Sequence, residues 1–195
     1  DEADFTIHGV VDSTHWKTTL SHPDPKIREQ GVEDLKTAIQ DSKVYGGSSV
    51  LLVPGVVTDG TTYQQAWDRS IPEIRKAIPM AEDLGIKILL ENVWNNFLTD
   101  PGATAKYIDQ LDSAAVGAYF DVGNAVRYAP PAEWVRILGK RIIKLDIKEF
   151  SLKKATKENP GAGFGVKLLE GDCNWPTVLE ELAKIDFRGW GTAAI

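Results

Sequence analysis

Hydrophobic spacing along this chain switches repeatedly between the two-residue period of a strand and the 3.6-residue period of a helix. Phe5 to Val11 is rich in β-branched residues and reads as a strand, followed by a polar loop, Asp12-Ser-Thr-His-Trp16. Asp24 and Pro25 suit the cap and first position of a helix. Ile27, Gly31, Leu35, Ala38 and Ile39 then keep helical spacing as far as Gly46-Gly47. Ser49 to Val53 is a short buried strand stopped by Pro54-Gly55. From about Thr62 to Leu84 the period is helical again, and Pro72 and Pro79 inside it predict two helices or one kinked helix.

Gly85 ends that region, and an apolar run from Ile86 to Leu90 meets a carboxylate, Glu91. The pattern repeats twice. A helix through Tyr107, Ile108 and Leu111 leads to the strand Val116–Phe120 and Asp121; a helix from Pro130-Pro131 to Gly139 leads to Arg141–Leu145 and Asp146. Ser151 to Gly165 has no periodicity, and so long a loop within a compact domain is usually functional or mobile. A helix from Pro176 to about Ile185 and a strand from Arg188 to Ile195 follow.

Six strands alternating with helices imply parallel pairing, with helices covering the sheet, in one domain over residues 1–195. An open doubly wound sheet would carry a glycine-rich phosphate turn after an early strand, and Val53-Pro-Gly-Val56 is not one. A (β/α) barrel would place functional residues at the carboxyl ends of several strands, where Glu91, Asp121 and Asp146 stand. The expected fold class is therefore α/β, a TIM barrel.

Three carboxylates converging on one barrel mouth repel one another, and a divalent cation relieves that repulsion. Oxygen-only ligands favour Mg²⁺ or Mn²⁺ over zinc. The alternative is that these acids cap the helices that follow. His15 and Trp16 follow the first strand and would face the same mouth, to bind hydroxyls, assist proton transfer or stack on a ligand ring. Asn92, Asn95 and Asn124 suit the hydroxyls of a small ligand or turn caps. Alternation puts Lys144 and Lys148 on the face of Asp146, to neutralise a carboxylate or hold a phosphate; Glu149 is an acid or a partner for Lys148. Asp172 reads as the cap of the last helix, Trp67, Trp134 and Tyr107 as packing, and His8 and His22 as structural.

Composition narrows the classes. A formal net charge of −6 argues against a nucleic-acid partner. No apolar run approaches the roughly 20 residues that span a bilayer. Cys173 is the only cysteine, which excludes an internal disulfide and a cysteine zinc cluster. The chain opens on Asp-Glu-Ala-Asp without methionine, so it reads as processed or as part of a longer protein, and no location is assigned.

Leu90-Glu-Asn-Val-Trp-Asn-Asn-Phe97, Tyr119-Phe-Asp-Val-Gly-Asn124, Lys144-Leu-Asp-Ile-Lys-Glu149, Glu170-Gly-Asp-Cys-Asn-Trp175 and Gly189-Trp-Gly-Thr192 together resemble the xylose-isomerase-like TIM barrels of the sugar phosphate isomerase/epimerase group. The resemblance runs over nearly the whole chain. It implies that Phe5–Val11 is the third barrel strand, so that about six of eight β/α units are present and the first two are lacking. Two open sheet edges would then need a missing N-terminal segment, closure with fewer strands or a homo-oligomer to cover them.

The same resemblance implies a divalent metal, often manganese, held by Glu, Asp, His and Glu. Glu91 matches the first ligand and Asp121 the second. Asp146 stands where the family usually has histidine, Ala194 where relatives carry the last glutamate, and Asn124 where some relatives have histidine. The implied activity is isomerisation or epimerisation of a ketose or keto-sugar, or its phosphate, by proton transfer through an enediolate, with Glu91 as base. A degenerate, non-catalytic sugar-binding barrel is the alternative that Ala194 raises. The endonuclease IV branch needs a histidine-rich trinuclear zinc site, and the three histidines here all precede the second strand.

Overall fold

A computed structural model describes residues 5–193. Six strands, β1 (Gly9–Val11), β2 (Ser49–Leu52), β3 (Lys87–Glu91), β4 (Val116–Asp121), β5 (Ile142–Ile147) and β6 (Trp190–Ala193), follow one another in sequence order across one sheet. Pairing is parallel between β1 and β2, β2 and β3, β4 and β5, and β5 and β6. Between them lie α1 (Pro25–Val44), α2 (Tyr63–Arg75), α3 (Ile78–Leu84), α4 (Pro101–Leu111), α5 (Val122–Ala125), α6 (Pro131–Leu138) and α7 (Trp175–Lys184). Strands that advance in order with helical crossovers are the signature of a (β/α) barrel; six of its eight units are present. No helix among the described residues is long and apolar enough to cross a membrane.

The chain forms two compact units. The first comprises residues up to Glu91 together with 95–97 and 107–117. Its core is Leu35 and Ile39 of α1, Val50 and Leu52 of β2, Ile74 of α2 and Ile88 of β3, all fully buried. Asp24 caps α1 through its carboxylate and Lys26 N–H, and Pro25 occupies the first turn, as the spacing predicts. Gly31 is required there: a Cβ on it would lie 2.1 Å from the Thr18 carbonyl oxygen. A capping box of Thr62 and Gln65 starts α2. The helical stretch from Thr62 divides into two helices at Lys76–Ala77, with Pro72 inside α2 and Pro79 in the first turn of α3. Tyr63, Trp67, Phe97 and Tyr107 pack ring to ring, and the Tyr107 hydroxyl meets Ser70 Oγ at 2.6 Å.

β1 is shorter than Phe5–Val11. β2 starts at Ser49, opposite Gly9, and the Ser48 N–H donates to the His8 carbonyl, so pairing with β2 begins only at His8. Phe5 and Ile7 are exposed and His8 precedes the strand instead of lying within it.

The second unit holds 92–94, 98–106 and the chain from Ala118. Phe120 stacks on the fully buried Trp134 of α6 with ring centres 6.0 Å apart. β5 continues past Asp146 to Ile147, because Ile147 still pairs with Ala193. A single turn, α5, follows Asp121 directly. The aperiodic segment after Ser151 contains a 3₁₀ turn, Pro160–Phe164, packed on Phe150.

Candidate active site

In the second unit, register sets Asp121 beside Asp146 and Asp146 beside Thr192, with Tyr119, Lys144 and Trp190 in the matching row two residues earlier. Side chains two apart share a face of a strand, so Tyr119, Asp121, Lys144, Asp146 and Thr192 lie on one face.

Asp121 is fully buried and its carboxylate is fixed at both oxygens. Oδ1 accepts from the Asn124 N–H at 2.8 Å, capping α5, and Oδ2 accepts from Lys148 Nζ at 2.6 Å. Burial raises the Asp121 pKa, against the pull of Lys148 and of the backbone N–H groups of Asn124 and Gly123. The helix-cap alternative thus describes one oxygen of Asp121. Asp146, inside β5, caps nothing. Burial first, and then the negative charge of Asp121, push its pKa up to about 6, while Lys148, a hydrogen bond from Tyr119 and Lys144 pull the other way. An ionised Asp146 only accepts, so Tyr119 donates to it and Thr192 Oγ1, 2.6 Å from the Tyr119 hydroxyl, donates to Tyr119. Burial lowers the pKa of Lys144, against the field of Asp146, and its ammonium lies 5.4 Å over the Tyr119 ring.

Glu91 ends β3, half-buried. Asp121 and Asp146 stand side by side in register in the second unit, and Glu91 holds the corresponding place at the end of β3 in the first. This donor set fits a hard divalent cation. All three side chains offer carboxylate oxygens, and three carboxylates outnumber the two lysines, Lys144 and Lys148. The position of Ala194 lies outside the described residues.

The asparagines expected to reach sugar hydroxyls are engaged on backbone. Asn92 Nδ2 donates to the Asp121 carbonyl at 2.9 Å and Asn92 Oδ1 accepts from the Asp121 N–H at 2.8 Å. Asn124 Nδ2 donates to the Asn92 carbonyl. In the first unit, Asn95 bridges the Gly55 carbonyl and the Phe97 N–H. His15 lies in a 3₁₀ turn, Ser13–Trp16, buried, with Nδ1 accepting from the Val53 N–H at 3.4 Å. Burial lowers its pKa to about 4, so the ring is neutral at pH 7. Trp16 meets it edge-on and is half exposed.

Lys148 neutralises a carboxylate, as one of its readings has it, and that carboxylate is Asp121. Two readings are corrected. Glu149, read as an acid or a partner for Lys148, is a buried carboxylate that accepts from the N–H groups of Phe150, Leu169 and Cys173. Asp172 does not cap α7; its Oδ2 accepts from the Leu152 N–H at 2.7 Å, and Asn174 occupies the cap position in a left-handed conformation. Both acids therefore tie the loop after β5 to the segment before α7. Gly171 fits between them because a Cβ there would lie 2.4 Å from the Phe150 carbonyl oxygen.

Tyr119 and Thr192 carry no signal of their own in the sequence, although counting back two residues from Asp121 finds Tyr119. Trp94 carries none either. Its indole N–H donates to the Asn124 carbonyl, its ring lies 4.9 Å from Phe164, and the Arg127 guanidinium stands 4.8 Å over it.

The fold defines a (β/α)-barrel architecture, and comparison with known proteins makes the assignment specific. Residues 1–194 match the family described as Xylose isomerase-like TIM barrel, and the chain belongs to it. It is 28% identical over 173 residues to an uncharacterized protein of Methanocaldococcus jannaschii, covering 84% of this chain and 56% of that protein. A D-tagatose 3-epimerase-like protein superposes with a TM-score of 0.75 at 25% identity, over 97% of this chain and 67% of the other. A D-allulose 3-epimerase from Methylomonas sp., solved with D-allulose, has the same fold, with a TM-score of 0.75 at 21% identity, over 90% and 59% of the two chains. The chain thus spans a little over half the length of the curated relative it matches.

Proposed function

We propose that this chain belongs to a divalent-metal-dependent isomerase or epimerase that moves the proton α to the carbonyl of a ketose, a keto-sugar or its phosphate. The observation that carries the reading is that a carboxylate closes or nearly closes each of three successive strands, Glu91 on β3, Asp121 on β4 and Asp146 on β5. The likeness to sugar 3-epimerases supports the substrate class. Mn²⁺ or Mg²⁺ held by these three acids would supply Lewis-acid polarisation of the sugar's oxygens.

The chain's own groups have distinct parts. Glu91 accepts the α proton on its carboxylate and returns it. Asp121, fixed by Asn92 and Asn124, is a rigid acceptor. Asp146, beside Asp121 in register, is the third acceptor, with Tyr119 donating to it. Tyr119 and Thr192 orient that carboxyl group. The sequence has alanine at 194, so the two-base exchange of a 3-epimerase lacks its second glutamate. A 1,2-aldose–ketose isomerisation needs only one shuttling base, and Glu91 suffices for it.

The test is deuterium exchange. Ketoses and ketose phosphates are incubated with the protein and Mn²⁺ in D₂O, and label at the carbon α to the carbonyl is read by NMR. Metal-dependent incorporation supports the reading, and no incorporation from any sugar overturns it. Sugar binding without exchange would favour a non-catalytic sugar-binding barrel, a second reading favoured by Ala194 and by the lysines that already offset two of the acids.

A further inference from the structure

Lys148 is bound to the most buried acid of the site, and the surrounding structure holds it there. Its ammonium lies 2.6 Å from Asp121 Oδ2, yet the side chain is 22% exposed while that of Asp121 is fully buried. The stem runs over Gly123, where a Cβ would approach the Lys148 Cβ, Cγ and Cδ to 2.9–3.1 Å. The ammonium also sits 5.3 Å over the Phe164 ring, a cation–π contact from the 3₁₀ turn Pro160–Phe164. Phe164 is itself fixed against Trp94 and Phe150.

The partners differ in mobility. Asp121 is pinned through its backbone by Asn92 and through Oδ1 by Asn124. Lys148 has a long stem that reaches solvent. A divalent cation at Asp121 would bring like charge against the ammonium at a few ångströms, within a buried site where charges are poorly screened. Of the two, the partner with the longer side chain and the solvent exposure to move is Lys148.

We infer that Lys148 is a resident counter-ion that occupies Asp121 when no metal is bound and competes with the metal for it, with Phe164 holding the ammonium in place. This rests on the reading of Glu91, Asp121 and Asp146 as metal ligands. Metal binding then frees the Lys148 ammonium, and the chain's metal affinity is set below that of the bare acids.

Two measurements test this. In the unaltered protein, acetylation of each lysine by an N-hydroxysuccinimide ester is followed by mass spectrometry with and without Mn²⁺. Lys148 is expected to react several-fold faster with Mn²⁺, while Lys36 and Lys153 do not change. Calorimetric titration with Mn²⁺ then compares the unaltered protein with Lys148→Met, which keeps the stem and removes the charge. Lys148→Met is expected to bind at least about tenfold more tightly, and Phe164→Leu severalfold more tightly. Binding by the unaltered protein with no change in Lys148 reactivity overturns the competition but leaves the metal centre intact. Equal or weaker binding by a folded Lys148→Met protein does the same. No binding by either protein overturns the metal centre itself, and the competition with it. Binding by Lys148→Met alone supports competition in its strongest form.

Discussion

The side chain of Asn92 holds the peptide of Asp121 from both sides, donating to its carbonyl at 2.9 Å and accepting from its N–H at 2.8 Å. An amide side chain thereby does what a neighbouring strand would do, at the point where β4 turns into α5. The residue before it is Glu91. One peptide bond therefore links a proposed ligand to the residue that fixes another. Replacing Asn92 with Leu leaves both Asp121 backbone groups buried and unpaired, at a cost of roughly 2–4 kcal/mol. Urea unfolding is expected to show that loss, and a smaller one for Asn92→Gln. An unchanged midpoint for Asn92→Leu would mean that the two bonds contribute nothing.

Glu91→Gln keeps the shape of the side chain and removes its charge and its basicity. General-base contributions are on the order of 10²–10⁴ in rate, so deuterium exchange is expected to fall by at least that much while the circular dichroism spectrum is retained. Full exchange in this variant would remove Glu91 from the chemistry.

Glu149 and Asp172 form the fastening of the loop after β5. Glu149→Gln turns one carboxylate oxygen into a donor, so at least one of the N–H groups of Phe150, Leu169 and Cys173 loses its acceptor. Gly171→Ala drives a methyl group into the Phe150 carbonyl. Each is expected to destabilise the protein by about 1–3 kcal/mol, and to raise hydrogen exchange in residues 151–174 more than in α1. Uniform exchange across the chain would show that these contacts do not fasten the loop.

Much of this was legible in the sequence, for reasons particular to each element. Helix α1 follows from Asp24, Pro25 and a regular apolar stripe, since caps and periodicity are local. The division into α2 and α3 follows from Pro79, in the first turn of α3, while Pro72 is accommodated inside α2. The acids at the ends of β3 and β4 were visible because a charge terminating an apolar run needs compensation. What depends on contacts far along the chain was not legible. The extent of β1 is set by where β2 starts, so Phe5 and Ile7 read as strand while having no partner there. The pairing of Lys148 with Asp121, not Glu149, is set across 27 residues by the turn of α5. Asn92, Asn95 and Asn124 have the chemistry of sugar ligands and of backbone clamps alike, and only the geometry reveals the carbonyls and N–H groups they meet.

Buried and neutral, His15 gives the protein a sign-definite pH dependence. Its folded pKa of about 4 lies below the unfolded value of 6.5. Between those values the unfolded chain binds the extra proton, so the contribution of His15 to stability is complete above about pH 6.5 and is lost as pH falls towards 4. Asp121 and Asp146 act in the opposite sense, because their folded pKa values are raised: their neutral forms favour the fold, and that contribution is lost as pH rises from about 4. The net stability curve therefore conceals both. A difference experiment separates them. His15→Gln replaces the imidazole with an uncharged group, and subtracting its urea-derived stability curve from that of the unaltered protein isolates the histidine. The difference is expected to be flat above pH 6.5 and to fall below it, and the imidazole ¹H resonances of His15 are expected to titrate near 4. A His15 that titrates at 6.5 would place the ring in water, and with it would go the bond from the Val53 N–H.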